Sequence, residues 1–455
     1  MPEVLSRSDV ASIFGRVAFG ATSADLDTWT GRTQDELADH LLAVPTDSAA
    51  FGAQPDEARR ISVTAAATSA NKQNGRAQLQ AAQGWWQERM RTTPWPLLER
   101  MTLFWHDHFA TGLGQPYPDV AMMLQQNQTQ RTHALGNFSE LLAAMTVDPA
   151  MLHWLDGARS VKGKPNENYA REFFELFALG VSPQQYTEGD IREAARAFTG
   201  WTVNGQRAAA FDARRHDTAL KTVLGRRIND LGADEHLAVR DAALGMPVAA
   251  RFVAWKMVQK LAYDPGKVDV MSGADPLVVR VAAELRESWD IRAAVEVLLR
   301  SPEFRQRPAL AARQPVEQAV HACKALGVAA DGAQVIQAMD GMGQRLFDPP
   351  NVGGWPVDEE WLAPGTTLAR YRLATFVEAE ARRQAGAVDL PVGPRVLPPA
   401  DDLGQWAARF GLAGFTPNTE RTLRGYLAAS AKAPAAQRQK GVMTLVISSP
   451  DWTVM

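Results

Sequence analysis

Apolar residues along this 455-residue chain recur mainly at three- and four-residue intervals, the spacing of one helix face, and strand-like alternation is scarce. Helix punctuation accompanies the spacing. Ser23, followed by acids, opens a run that continues toward Leu37, Leu41 and Leu42, and Thr187 with Asp190 three residues later forms a capping box for a run that stops at Gly200. Asp290 caps IRAAVEVLLR, which Pro302 ends. Phe252, Trp255, Met257 and Leu261 predict a bulky helix over 249–263, and further helices are expected over 316–326 and 367–384. The expected fold class is mainly α: a multi-helix globular fold with long loops.

The prolines of PVGPRVLPP, at 391–399, forbid helix and favour an extended chain. Residues 391–400 therefore read as a linker between a main helical domain, 1–390, and a small helical C-terminal unit, 401–455, with helices expected at 406–410 and 419–430. Periodicity is lost over 205–232, which marks a candidate internal boundary. Near the end, LVISSPDW echoes VLLRSPEF at 297–304: in both, Ser-Pro should stop a helix and the following aromatic should fold back to pack.

Composition adds mostly exclusions. Apolar residues at 46% and charged residues at 22% are ordinary for a soluble globular protein, and a net charge of −3 gives no general pull toward nucleic acid or anionic membrane. The single cysteine, Cys323, rules out an intramolecular disulfide and a cysteine metal cluster; its helix-like surroundings predict a buried thiol. No run approaches the roughly 20 apolar residues that span a bilayer. The N-terminus lacks a basic start followed by an apolar core, so a cytoplasmic location is expected. The dinucleotide fingerprint, the Walker loop, His-Glu-x-x-His and the Gly-x-Ser-x-Gly elbow are all absent from the sequence.

Candidate chemistry gathers in four segments. In PNENYAREFFELFALG, 165–180, a helical turn of about 100° per residue puts Asn168, Arg171, Glu172 and Glu175 in one strip, with Tyr169, Phe173, Phe174, Leu176 and Phe177 on the core side. Glu172 and Glu175, one turn apart, can converge on one ion, share a proton or simply face water. In WHDHF, His106 and His108 chelate one metal only on an extended segment. On a helix they diverge by about 200°, and His108 continues the apolar row of Leu97, Met101 and Phe104. Asp107 can orient a ring or face solvent.

In FDARRHDTALKTVLG, 211–225, His216, Asp217 and Lys221 make an acid/base or ligand cluster; the structural alternative pairs Arg214 and Arg215 with Asp212 and Asp217. In LFDPPNVGGW, 346–355, two prolines and two glycines fix a loop that either brings Asn351 and Trp355 to a ligand or covers a core with Phe347 and Trp355. Gln126, Asn127, Gln128 and Arg131 form a further polar patch.

PNENYAREFFELFALGV followed by YTEGDIREAARAFTGW resembles the signature of the bacterial domain of unknown function 1800 family. RMTLFWHDHFATG at 100–112, GNFSELLAAMTVDPAMLHWLDG at 136–157 and MGQRLFDPPNVGGWP at 342–356 agree and follow in the family's order, so the resemblance runs from about residue 6 to residue 378. It implies a helical fold and supplies no activity. Relatives often carry export signals, a feature not seen here. The family pattern near His216 reads His-Asp, one residue, Gly, one residue, Lys; Ala219 stands in place of that glycine.

Two readings follow. In the first, the protein is a metal-dependent enzyme, with His106, His108, Glu172 and Glu175 as metal ligands and His216, Asp217, Arg171 and Lys221 as catalytic groups. Oxygen ligands with imidazole suit Mn, Fe or Zn. In the second, it is a helical scaffold or assembly partner for another protein, and the polar strip is a structural salt-bridge network. The first requires Arg171, Glu172, His216 and one of His106 or His108 to surround one cavity.

Overall fold

The computed structural model describes residues 3–47, 72–114, 117–181, 184–266, 275–306, 312–356, 361–385 and 397–454, and these are mainly α-helical. Two of the predicted caps are real. Thr187 and Asp190 cap each other's turn at the start of Glu188–Ala197, and Asp290 accepts from the Ala293 N–H at the start of Ile291–Arg300. Helices occupy Pro247–Leu261, Pro315–Leu326 and Pro364–Ala385, each starting at proline, whose missing N–H costs nothing in a first turn.

Two expectations need correction. The run from Ser23 is two helices, Ser23–Trp29 and Gln34–Leu42, capped by Thr22 and Thr33; Gly31 at φ +85° breaks the first before the second begins. The helix that carries the polar strip is α-helical only over Glu167–Glu172 and continues as a π-helical turn over Phe173–Ala178. A wider turn spoils the 100° wheel beyond Glu172, while Phe173, Phe174 and Phe177 remain buried as expected.

One core joins Arg7–Val17, Pro96–His108, Phe138–Thr146, the polar-strip helix, Glu188–Ala197 and Pro247–Leu261. A second core mixes Cys323, Leu373 and Val377 with Trp406, Phe410, Ile447 and Trp452, so helices on both sides of the 391–400 segment share one apolar interior. Residues 391–396 of the expected linker lie outside the described residues. Phe304 and Trp452, the aromatics after the two Ser-Pro stops, both fold back to complete burial. Cys323 is buried, and burial pushes its thiol up to about 12. Among the described residues no helix is long and apolar enough to cross a membrane.

Three of the four short strands lie in the stretch where periodicity fails, and the first, Trp201–Val203, just precedes it. Trp201–Val203 pairs antiparallel with Ala209–Phe211, and Lys221–Val223 with Arg226–Ile228. This small β excursion leaves the helical body after Ala197 and rejoins it at Glu235, the first residue of Glu235–Leu244. It carries the candidate site.

Candidate metal centre

Gly200, at φ +94°, turns the chain out of the preceding helix and packs two parts of the excursion together. A Cβ there would stand 2.9 Å from the Phe211 ring and 3.1 Å from the His216 Cβ, so only glycine fits. His216 is thereby pinned beneath the hairpin. Its Nδ1 lies 2.8 Å from the Thr199 carbonyl, which can only accept, so the ring proton sits on Nδ1. The Thr199 hydroxyl donates to the Arg196 carbonyl and accepts the Asp217 N–H, which fixes this corner from both sides.

Nε2 of His216 then faces Glu235 Oε1, 3.3 Å away. Both side chains are buried, and neither His216 Nε2 nor either Glu235 oxygen has a hydrogen-bond partner. Buried polar atoms without hydrogen bonds are costly, and this pair needs a proton or a cation between them. A metal bound at about 2.1 Å to each would set them about 3.4 Å apart across a tetrahedral edge. A carboxylate oxygen of Asp230, an exposed residue, completes the group: its ligand atom, that of His216 and that of Glu235 lie within 4.8 Å of one another. Among the described residues this is the one set of three or more His, Cys, Asp or Glu groups with such convergence.

The strand register explains how they meet. Lys221 pairs with Ile228 at the end of its strand, and Asp230 follows two residues later in the segment that leads to Glu235. Lys221 is itself fully buried, with Nζ 2.6 Å from Glu235 Oε2, close enough for charge pairing but not aligned as a hydrogen bond; its ammonium donates instead to the Asp217 carbonyl. That leaves Oε1 of Glu235 for an ion.

The other sequence-predicted residues are distributed differently. Asp217 turns away from the cluster to pair with Arg196 at 2.8 Å, and this hydrogen bond holds its carboxyl down at about 2. Arg215 donates to the Ala158 carbonyl, so of the expected surface pairs only Arg214–Asp212, at 3.0 Å, forms. Ala219 donates its N–H to Asp217 Oδ1 in a turn without a left-handed backbone, so the family's glycine is not needed. Arg171 makes a two-pronged bridge to Glu188 at 2.9 and 2.7 Å and lies 3.7 Å from Glu175. Glu172 is half-buried; burial first, and the neighbouring Glu175 charge second, raise its pKa.

His106 and His108 diverge, as a helix requires. Nε2 of His106 accepts the Phe347 N–H at 3.1 Å, and its ring packs against Trp86, Phe347 and Trp355. His108 lies 3.0 Å from the carbonyl of Phe177 in the π-helical turn, among Phe104, Trp105 and Phe109. Burial pushes His106 down to about 4 and His108 well below the usual histidine range. Asp107 pairs with Lys260 at 2.7 Å and accepts the Trp355 N–H at 2.8 Å. Thus the WHDHF and LFDPPNVGGW segments dock on each other, with Phe347 and Trp355 buried and Asn351 exposed. Among the described residues no hydrogen bond or ion pair links Arg171, Glu172 or Glu175 to His106, His108 or His216, although His108 lies against the Phe177 carbonyl of the helix that carries the strip.

Sequence reasoning missed Glu235 and Asp230. Glu235 reads as an acid favoured at a helix start, and Asp230 as a loop acid. The available signal was their position within 20 residues of His216, at the close of an aperiodic stretch. The buried charge network was half seen: Arg131 and Asn127 belong to it, and Glu99 accepts from Arg131 at 2.7 and 3.0 Å and from Trp86 at 2.9 Å.

The chain belongs to the family described as protein of unknown function (DUF1800), whose family model matches residues 12–454. No curated protein and no solved structure matches the chain.

Proposed function

We propose that the protein is a metal-dependent enzyme whose divalent cation is held by His216, Glu235 and Asp230. One observation carries the reading: a histidine ring nitrogen and a carboxylate oxygen face each other at 3.3 Å, buried and without hydrogen bonds. The Thr199 carbonyl fixing the far ring nitrogen is the usual support of a metal-bound histidine. Three protein ligands leave a coordination position for water or substrate, the mark of catalytic rather than purely structural sites. One imidazole with two carboxylates suits Zn, Mn or Fe, and such an ion would supply Lewis acidity and an acidified water. Lys221 holds Glu235 Oε2 and so orients Oε1 inward, while Asp230 stands at the solvent side where substrate arrives. Asp217 and Arg196 clamp the loop that presents His216.

Elemental analysis of untagged, full-length protein tests the reading. About one equivalent of metal per chain is expected, lost in His216→Ala and Glu235→Gln. Less than about 0.1 equivalent after reconstitution, with no difference between wild type and these variants, would sink it.

A scaffold without chemistry is the second reading, and the bridge from Arg171 to Glu188 favours it, since the polar strip there finds partners without any ligand. A hub role would make Arg171→Gln strongly destabilising, because Arg171 is the residue that joins Glu188 and Glu175. A fully stable, folded variant would remove the strip from consideration as a structural hub.

A further inference from the structure

The cation site has an apolar ledge on its open side. Phe211 is partly buried, with its ring 5.2 Å from the His216 ring, and Trp201, also partly buried, lies 5.6 Å beyond it. The segment that carries Asp230 continues into Leu231, 52% exposed, and Gly232, whose missing side chain leaves the edge of Phe211 uncovered: a Cβ there would stand 3.9 Å from the ring. Leu220, 45% exposed, precedes Lys221 on the paired strand. Large apolar side chains held in water beside a cluster of charged groups cost stability unless something covers them, and natural surfaces keep such patches for binding. Here the apolar edge and the exposed ligand Asp230 lie on one short segment.

Resting on the metal reading above, we infer that the substrate pairs an oxygen donor for the cation with an adjoining flat apolar ring that lies over Phe211 and Leu231. Offset stacking on Phe211 would fix the ring, while the donor atoms reach the position left by the three protein ligands. A ligand with only the polar half would lose the ledge; one with only the apolar half would lose the ion.

Two hydroxamic acids separate these contributions, because both chelate zinc through the same pair of oxygens and differ only in the attached group. Binding of acetohydroxamate and benzohydroxamate to the zinc-loaded full chain is measured by calorimetry. Benzohydroxamate is expected to bind about tenfold tighter, the effect of covering one ring face. Leu231→Ser should shrink that ratio while leaving zinc content and the acetohydroxamate affinity unchanged, and Phe211→Ala should shrink it further in chains that still load zinc. Leu231 is exposed, so its variant folds even if Phe211→Ala does not. Equal affinities in the wild type, or a ratio untouched by Leu231→Ser and Phe211→Ala, overturn the inference and leave the metal site standing. Failure to load zinc or to bind either hydroxamate overturns the metal reading and the inference with it.

Discussion

The Phe347 N–H donates to Nε2 of His106 at 3.1 Å and so ties together segments 241 residues apart. The bond needs an unprotonated nitrogen, and burial keeps His106 so, with its pKa pushed down to about 4. Phe347 meets it with a left-handed backbone, φ +66°, a conformation that a non-glycine residue holds only when its surroundings enforce it.

Acid should therefore loosen the fold well above the carboxylate range. A histidine whose folded pKa is below its unfolded value leaves stability complete above about 6.5 and removes it as pH falls toward 4. His106, His108 and His321 all shift downward, chiefly through burial. Each extra proton bound by the unfolded chain is worth about 1.4 kcal/mol per pH unit. Denaturant unfolding at pH 7.5, 6 and 5 should show net uptake of at least one proton between 6.5 and 5, and His106→Asn should reduce that slope. Stability that is flat or rising over this interval would contradict the assignment.

Asp148 works in the opposite sense. It caps Pro149–Trp154 and accepts from Gln126 at 2.7 Å, yet burial pushes its pKa up to about 6. Its folded form therefore holds a proton that the unfolded chain has lost, and the associated stability is complete below about 3.8 and gone above about 6. Asp148→Asn keeps the cap acceptor without the charge. It is expected to raise stability at pH 7.5 by about 1–3 kcal/mol relative to wild type, a gain that vanishes near pH 3.5.

Gly354 has no tolerance for a side chain. At φ +89°, an added Cβ would stand 2.3 Å from Asp107 Oδ1 and 2.8 Å from the Asp107 carbonyl oxygen. Gly354→Ala should cost about 2–4 kcal/mol, read as a drop in Tm with altered tryptophan fluorescence from Trp355. Gly205→Ala, where nothing lies within 4 Å, is the matched control and should stay within about 0.5 kcal/mol of wild type.

Lys221→Met tests how charge is shared in the β excursion. Without the ammonium, buried Glu235 loses its nearest cation, so the metal-free variant should melt several degrees below wild type. Removing a positive charge beside a ligand carboxylate should also tighten zinc binding roughly tenfold or more. Zinc should then raise the Tm of the variant further than that of wild type. A variant with unchanged Tm and unchanged zinc affinity would argue against a shared carboxylate.

The fold was legible wherever a residue acted on its own neighbours. Thr187 and Asp190 cap a turn between them, and Pro302 and Pro450 stop helices in the same local way. The divergence of His106 and His108 followed from helix geometry alone. The π-helical turn after Glu172 could not be read locally because it is a tertiary event: the Phe177 and Leu176 carbonyls there take His108 and Lys256 as donors from distant helices. Glu235 was invisible for a related reason. Nothing in EHLAVRDAAL says that its first acid is buried against a histidine from a hairpin, because that burial depends on Gly200 and Phe211 closing the excursion.

The early part of this chain is covered by its latest part. The His321 ring bonds the Ala21 carbonyl at 3.1 Å, Gly411 packs so closely that a Cβ would come within 2.2 Å of the same oxygen, and Ser23 donates to the Ala408 carbonyl at 2.9 Å. Lys324 reaches the Gly20 carbonyl at 3.0 Å. During synthesis, then, the turn after Arg7–Val17 leaves the ribosome with its polar backbone facing partners that do not yet exist. Such long-range closures come late, after the loops between them have been ordered. The first helix can enter its core once residues up to Phe304 are made, but the Gly20–Ser23 turn closes only after His321, Lys324, Ala408 and Gly411 have been added.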